Sequence, residues 1–351
     1  MTHGSNSHLV KTIDDIGDNA WDDFVTSQAH ATLYHSSHWR KVFQQAYGLK
    51  SYYIVKLDSK NNVEGLLPIV HQKSRLFGNH LGSLPFFVNY AGVLAKNTDA
   101  ANTLYAYAGD FARKLGAHTL QLRGTEVLDI EWPCQQHKIC MHLKLPSTAE
   151  ELWKAIGSKR RSQIKRPERE GIEVVHGGRE LLKDFYSVMT RNMRDLGSPV
   201  HSKAFYSAIL ETFPQQTHII LVKKSGIAVA GGFLIGYKRM LEIPWASSLR
   251  EYNSIGVNMR LYWEVLKYAI EQGYEVFDFG RSSKDSNTYR FKKQWGAQPV
   301  QCYWYTWEKR NTEHAKPSTD NAKFQLAINV WRRMPLPVAN VLGPMLVRHL
   351  P

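Results

Sequence analysis

A helix-and-strand unit in the first half of the chain returns 157 positions later without a gap. Leu104, Tyr105, Ala112 and Gly116 fall on Leu261, Tyr262, Ala269 and Gly273. Phe111 falls on Tyr268, Leu120 on Phe277 and Leu122 on Phe279. Both glycines end an amphipathic run, where a helix C-terminus favours a residue free to turn left-handed. The surrounding order also recurs: helices, extended runs of alternating period, a helix, then an apolar strand. Such a repeat constrains the chain to two related layered subdomains, because each helical stripe and sheet face must be buried against another element. The expected class is therefore α/β (α+β), an internal duplication with each copy a mixed, mainly antiparallel sheet flanked by helices. The expected division is 1–146, 147–312 and a basic, apolar tail over 313–351. At the first join "LPST" supplies a turn, and Ser147 or Thr148 a helix cap.

The chain has 351 residues, 43% apolar and 22% charged, values of an ordinary globular protein. Its formal net charge of +14 points to an anionic partner, whether nucleic acid, a phosphate-bearing substrate or a membrane surface. Cys134, Cys140 and Cys302 form no disulfide framework or zinc ribbon, so reduced thiols in the cytoplasm are expected. The polar start "MTHGSNSHLVK" does not read as a signal peptide, and no run of about 18 apolar residues occurs. The tail "NVWRRMPLPVANVLGPMLVRHLP" mixes arginine, proline and large apolar residues. It reads either as a segment packed back on the domain or as an interfacial anchor at anionic lipid.

Phosphate-binding GxGxxG and GxxxxGK[ST] loops, HExxH and the GxSxG elbow are all missing. His35 and His38 lack a third ligand, so no metal is expected. Glu242 and Asp278 are carboxylates set in apolar strands, which makes both site candidates. Arg281 follows as a charge partner for Asp278, and Ser282 loosens the strand end. Lys159, Arg160, Arg161, Lys165, Arg166 and Arg169 form a dense basic cluster, either a solvated helix face or an anion site.

"LYWEVLKYAIEQGYEVFDFGRSSKDSNTYRFKKQWGAQPV", the basic "GSKRRSQIKRPEREGIEV" and "RNMRDLGSPVHSKAFYSAIL" resemble segments of the FemAB-like acyltransferases, in that family's order. The family carries two copies of the GNAT N-acyltransferase fold. With "PLPVANVLGPMLVRHLP", the likeness extends to a branch associated with bacterial exosortase and exopolysaccharide systems. Two departures stand out: Pro167 interrupts the basic helix, and no long charged coiled-coil arm is inserted.

The resemblance implies transfer of an acyl or aminoacyl group to an amine of a cell-envelope or exopolysaccharide precursor. The co-substrate would be acyl-CoA or aminoacyl-tRNA, with no tightly bound cofactor, and direct attack would need no covalent acyl-enzyme. It places Lys292 at the acyl-transfer site, for the oxyanion, and offers Tyr289 as a proton donor to the leaving group. Asp278 or Glu242 is left open as base, directly or through water, unless the amine arrives neutral. Arg281, Ser282, Phe291, Trp295, Lys159, Arg160, Arg161 and Lys165 make up the expected binding set. Phe291 and Trp295 read as pins between helix and sheet or as a stacking platform for a base. The implied partners are a small or lipid-linked glycan or peptide substrate and tRNA, while the tail's own composition adds peripheral contact with an anionic membrane at the inner face. The competing reading is a non-catalytic twin module that holds an anionic glycan or lipid-linked intermediate.

Overall fold

The computed structural model describes residues 9–74, 77–85, 88–309 and 322–349. The polar start up to His8, the first residues of the tail (313–321) and its last two residues lie outside the described residues. The strands are β1 (Val10–Thr12), β2 (Lys50–Leu57), β3 (Val63–Ser74), β4 (Gly78–Gly82), β5 (Leu94–Ala95), β6 (Thr119–Gly124), β7 (Cys134–Gln135), β8 (Lys138–Lys144), β9 (Ile172–Gly177), β10 (Thr217–Lys224), β11 (Ile227–Tyr237), β12 (Met240–Ser248), β13 (Val276–Ser283), β14 (Gln298–Gln301) and β15 (Tyr303–Glu308). The helices are α1 (Ile13–Ser27), α2 (Trp39–Tyr47), α3 (Thr98–Lys114), α4 (Ala149–Ala155), α5 (Ser158–Lys165), α6 (Leu182–Leu196), α7 (Lys203–Thr212), α8 (Val257–Glu271), α9 (Asn287–Lys293), α10 (Ala322–Arg333) and α11 (Leu336–Val347).

Two sheets form. One runs β1-β2-β3-β4-β6-β15-β7, with β5 added to β3, and the other runs β14-β8-β13-β12-β11-β10-β9. Each combines antiparallel pairings with a parallel step made by a crossover helix. In the first sheet α3 returns the chain so that β6 lies parallel to β4, pairing His80–Gly82 with Thr119–Gln121. In the second, α8 does the same for β13 and β12, pairing Met240–Glu242 with Val276–Asp278. The paired residues of β6 and β13 stand at the same 157-residue offset as the sequence repeat. The glycines that close α3 and α8, Gly116 and Gly273, both adopt positive φ, 63° and 77°. Two subdomains of one mixed α/β (α+β) design are therefore present.

Their boundaries differ from a cut at 146/147 and 312/313. Among the described residues one unit comprises those within 9–138, 301–309 and 348–349, the other 139–300 and 322–347. β8 lies beside β13 in the second sheet, and β15 lies beside β6 in the first. Each sheet thus takes the strand next to its crossover strand from the other half of the sequence. A period-2 pattern marks a strand but not the sheet it joins.

In the second unit β11 is buried along nearly its whole length, as expected of an inner strand covered on both faces. Leu234 belongs to a core with Leu261, Val265, Leu266 and Ala269 of α8. Its neighbour Phe233 instead meets Phe185 of α6, Tyr206 of α7 and Trp245. Each such side chain removed from water is worth about 1.5–3 kcal/mol. The tail helices α10 and α11 pack back on this unit. Gly197, just past α6, lies so close to α10 that a Cβ there would fall 2.5 Å from Ile328. Gly343 of α11 similarly faces the backbone of Val200, and Arg194 donates to the carbonyl of Met334 at 3.3 Å. No helix among the described residues is long and apolar enough to cross a membrane.

Candidate active site

The parallel ladder between β12 and β13 ends at the Glu242–Asp278 pair, although β12 continues to Ser248 and β13 to Ser283. Two residues open this fork. Pro244 has no N–H to offer a ladder, and Gly280 turns β13 with φ of 77°, a conformation that side chains resist. Arg281 and Ser282 therefore lie on the strand beyond the fork.

Asp278 sits at the fork and is fully buried. Its Oδ1 accepts the N–H of Gly280 at 2.7 Å, and its Oδ2 lies 3.5 Å from Nε2 of His142 on β8. Lys292 reaches the same place from α9. Its Nζ donates to the carbonyls of Gly280 and Arg281, each at 2.9 Å, and only 7% of the residue is exposed. Burial pushes the Lys292 pKa down to about 8; Asp278 and Cys140 pull it up, and Arg281 pushes it down. The result is an ammonium on the edge of neutrality, tied to the end of a splayed strand beside a buried carboxylate and a histidine.

Glu242 is also buried and pairs in register with Asp278. Ser282 is buried, and its Oγ has no hydrogen-bond partner among the described residues. Arg281 is half-buried. α9 starts at Asn287, and the Oγ of its cap Ser286 accepts the N–H of Tyr289 at 3.2 Å. Tyr289 itself is half-buried, with Nζ of Lys293 at 5.7 Å from its ring centroid.

The neighbouring lysines point apart, as a helical step of about 100° requires. Lys293 is exposed and lines a pocket of about 500 Å³ with Leu143, Leu145, Glu151, Ile156 and Trp295. Trp295 is a core residue at 2% exposure, so it has no open face on which a base could stack. Phe291 meets Tyr262 edge-on at 4.9 Å and Trp295 at 6.4 Å. Both rings pin the α9 segment to α8.

The basic cluster divides. Arg160 donates to the carbonyl of Ile156 at 2.9 Å, and Arg161 to those of Trp153 and Lys154 at 3.2 Å, closing the C-terminal end of α4. Lys165 lies over the ring of Trp153 at 5.7 Å. Pro167 opens a short 3₁₀ turn, Arg166–Glu170, whose Glu168 is ion-paired with Arg260 of α8. Lys159, Lys165, Arg166 and Arg169 are exposed, whereas Arg160 and Arg161 are half-buried.

Sequence reasoning missed His142 and Cys140. The alternation of "KICMHLK" marks a strand in which residues 140 and 142 share a face, but nothing local pairs β8 with β13. His35 is buried and structural, facing the carbonyl of Gly92 at 3.2 Å. Among the described residues no group of three His, Cys, Asp or Glu could hold a metal ion.

The first unit lacks this chemistry at the matching place. Gln121 stands at the position of Asp278, and Arg123 at that of Gly280. There Arg123 donates from Nε to Oε1 of Gln121 at 2.6 Å.

Residues 158–293 match the acetyltransferase (GNAT) domain family. A UDP-N-acetylmuramoylpentapeptide-lysine N(6)-alanyltransferase from Weissella viridescens is 25% identical over 196 residues, 53% of this chain and 58% of that protein. The match therefore spans less than two thirds of that relative. The crystal structure of FemX superposes with a TM-score of 0.64 at 16% identity, covering 82% of this chain and 96% of that one. A tandem GNAT protein from the clavulanic acid biosynthesis pathway gives 0.54 at 11% identity, covering 87% and 100%. These two structures share the fold, including its duplication. Residues 158–293 therefore belong to the GNAT acetyltransferase domain family, and the chain as a whole is similar in fold to FemX and to a tandem GNAT protein.

Proposed function

We propose that the protein is an N-acyltransferase that moves an aminoacyl or acyl group from an activated donor to a primary amine of a cell-envelope precursor. The observation that carries this reading is the fork between β12 and β13, where Lys292, Asp278 and His142 converge in the second copy alone. The name of the Weissella viridescens relative, an alanyltransferase acting on a lysine amine of a peptidoglycan precursor, supports aminoacyl transfer first. Acyl-CoA is the second donor, favoured by the acetyltransferase description of residues 158–293. An amino sugar of an exopolysaccharide precursor is the alternative acceptor.

The amine nitrogen attacks the donor carbonyl, a C–N bond forms, and the ester C–O or thioester C–S bond breaks. Lys292 supplies positive charge to the oxyanion that develops. His142 is 19% exposed at its side chain and Asp278 not at all, so His142 takes the amine proton and Asp278 positions it. Tyr289 is assigned the return of a proton to the leaving oxygen or sulfur. The exposed cations Lys159, Lys165, Arg166 and Arg169 form the surface for an anionic donor such as tRNA.

The test is a transfer assay with isotopically labelled alanyl-tRNA, seryl-tRNA or acetyl-CoA and UDP-N-acetylmuramoyl-pentapeptide, read by mass spectrometry. The expected result is a product heavier by one acyl group, and a loss of rate of about 100-fold in Lys292→Ala. If no donor gives product and Lys292→Ala still restores function in a deletion strain, the non-catalytic binding module is the correct reading.

A further inference from the structure

α11 is apolar all round. From Leu336 to Val347 it contains no charged residue, and Asn340 is its one polar side chain. Its inner face is Ala339, Gly343 and Val347, all buried. Its outer face is Val338, Val341, Leu342 and Met345, exposed by 44%, 63%, 38% and 53%. These follow the i, i+3, i+4, i+7 spacing of one helical stripe. α10 adds Leu326 and Val330, four residues apart and exposed by 64% and 55%. Six of the nine exposed large hydrophobic residues among the described residues thus lie on two short tail helices.

A helix apolar on every side is ordinarily enclosed by protein or by lipid. α11 has 12 residues, about 18 Å of helix, too short to cross a hydrocarbon core of about 30 Å. Its inner face is already seated on the second unit. The charge around the stripe selects the occupant. Between Ala322 and Val347 there is no aspartate or glutamate, whereas Arg332 and Arg333, both exposed, close α10 immediately before α11.

We propose that α10 and α11 form a docking surface for an anionic bilayer, with the Val338–Met345 stripe in the interfacial layer and Arg332 and Arg333 at lipid phosphates. This surface is independent of the transferase reading. It would hold the protein at the membrane face whether the acceptor were lipid-linked or free.

The test is flotation of the full chain with vesicles of phosphatidylcholine alone and of phosphatidylcholine with about a third phosphatidylglycerol. The expected result is binding to the anionic vesicles, weakened by salt. Val341→Asp with Leu342→Asp should weaken it at least ~10-fold, and Arg333→Gln roughly 5-fold. All three side chains face solvent already, so thermal melting should be unchanged and a folding failure would be visible. Absence of flotation, equal flotation with neutral vesicles, or indifference to the double variant overturns the proposal. So does a dimer by light scattering that the double variant abolishes, because the stripe would then belong to a second copy.

Discussion

Nζ of Lys292 holds the carbonyl of Gly280, twelve residues earlier, at 2.9 Å. The bond ties a short helix to the kinked end of β13 and keeps a cation where water is scarce. The consequence is a proton affinity near the working range, about 8 against an ordinary 10.5. Between those values the unfolded chain binds the proton and the folded chain has lost it. Stability should therefore rise with pH across that window, because the unfolded state is the more protonated one. Transfer by a cationic Lys292 should do the opposite and fall as pH passes 8. Urea unfolding and kcat measured from pH 7 to 10 should run in opposite directions, and Lys292→Met should flatten the stability rise. Parallel curves would remove Lys292 from the chemistry.

Asp278 should be separable from its backbone duty. An asparagine keeps an oxygen for the N–H of Gly280 but loses the charge beside His142. Asp278→Asn should fold normally and lose about 100-fold in kcat, within the range of general base effects. His142→Gln should lose a similar factor. Combining the two changes should cost little more than either alone, because residues acting as a unit are not additive. Full additivity in the double variant would show that His142 and Asp278 act apart.

The repeat of Leu104 through Gly116 on Leu261 through Gly273 was enough to derive two α/β copies, and the 157-residue offset reappears in the parallel pairings. Asp278 and Glu242 could be nominated because carboxylates among apolar neighbours are conspicuous, and Lys292 because its segment resembles the FemAB-like acyltransferases. His142 could not. It reaches Asp278 only through the pairing of β8 with β13, a contact across more than 130 residues with no local signal. The same long-range pairing moved β15 into the first sheet. Arg160 and Arg161 show the converse limit: composition displays their charge but not the α4 carbonyls that occupy it.

Gly280 is the pivot of the fork, and its φ of 77° lies where a Cβ meets the following carbonyl. Gly280→Ala should cost roughly 1–2 kcal/mol of stability from this backbone term. It should also move the carbonyl that holds Lys292, so the transfer rate should fall beyond what the stability loss explains. Differential scanning calorimetry with a saturated rate assay separates the two. A wild-type rate in a folded alanine variant would mean that the kink does not position Lys292.

The two halves of "KKQWG" should respond in opposite ways. Trp295 is 2% exposed, lies in the second unit's core with Leu143, Leu152 and Tyr262, and makes an edge contact with Phe291. Trp295→Ala leaves a cavity that rigid neighbours cannot fill, and should cost about 3–5 kcal/mol. Lys293 projects to solvent over Tyr289, so Lys293→Ala should change stability by no more than about 0.5 kcal/mol. Activity distinguishes what the pocket beside Lys293 does. If an anionic substrate group passes through it, Lys293→Ala should raise KM severalfold at constant kcat, with the effect shrinking in high salt. An unchanged KM would leave the pocket as unfilled space between β8 and α4, with Trp295 closing it for the sake of the core.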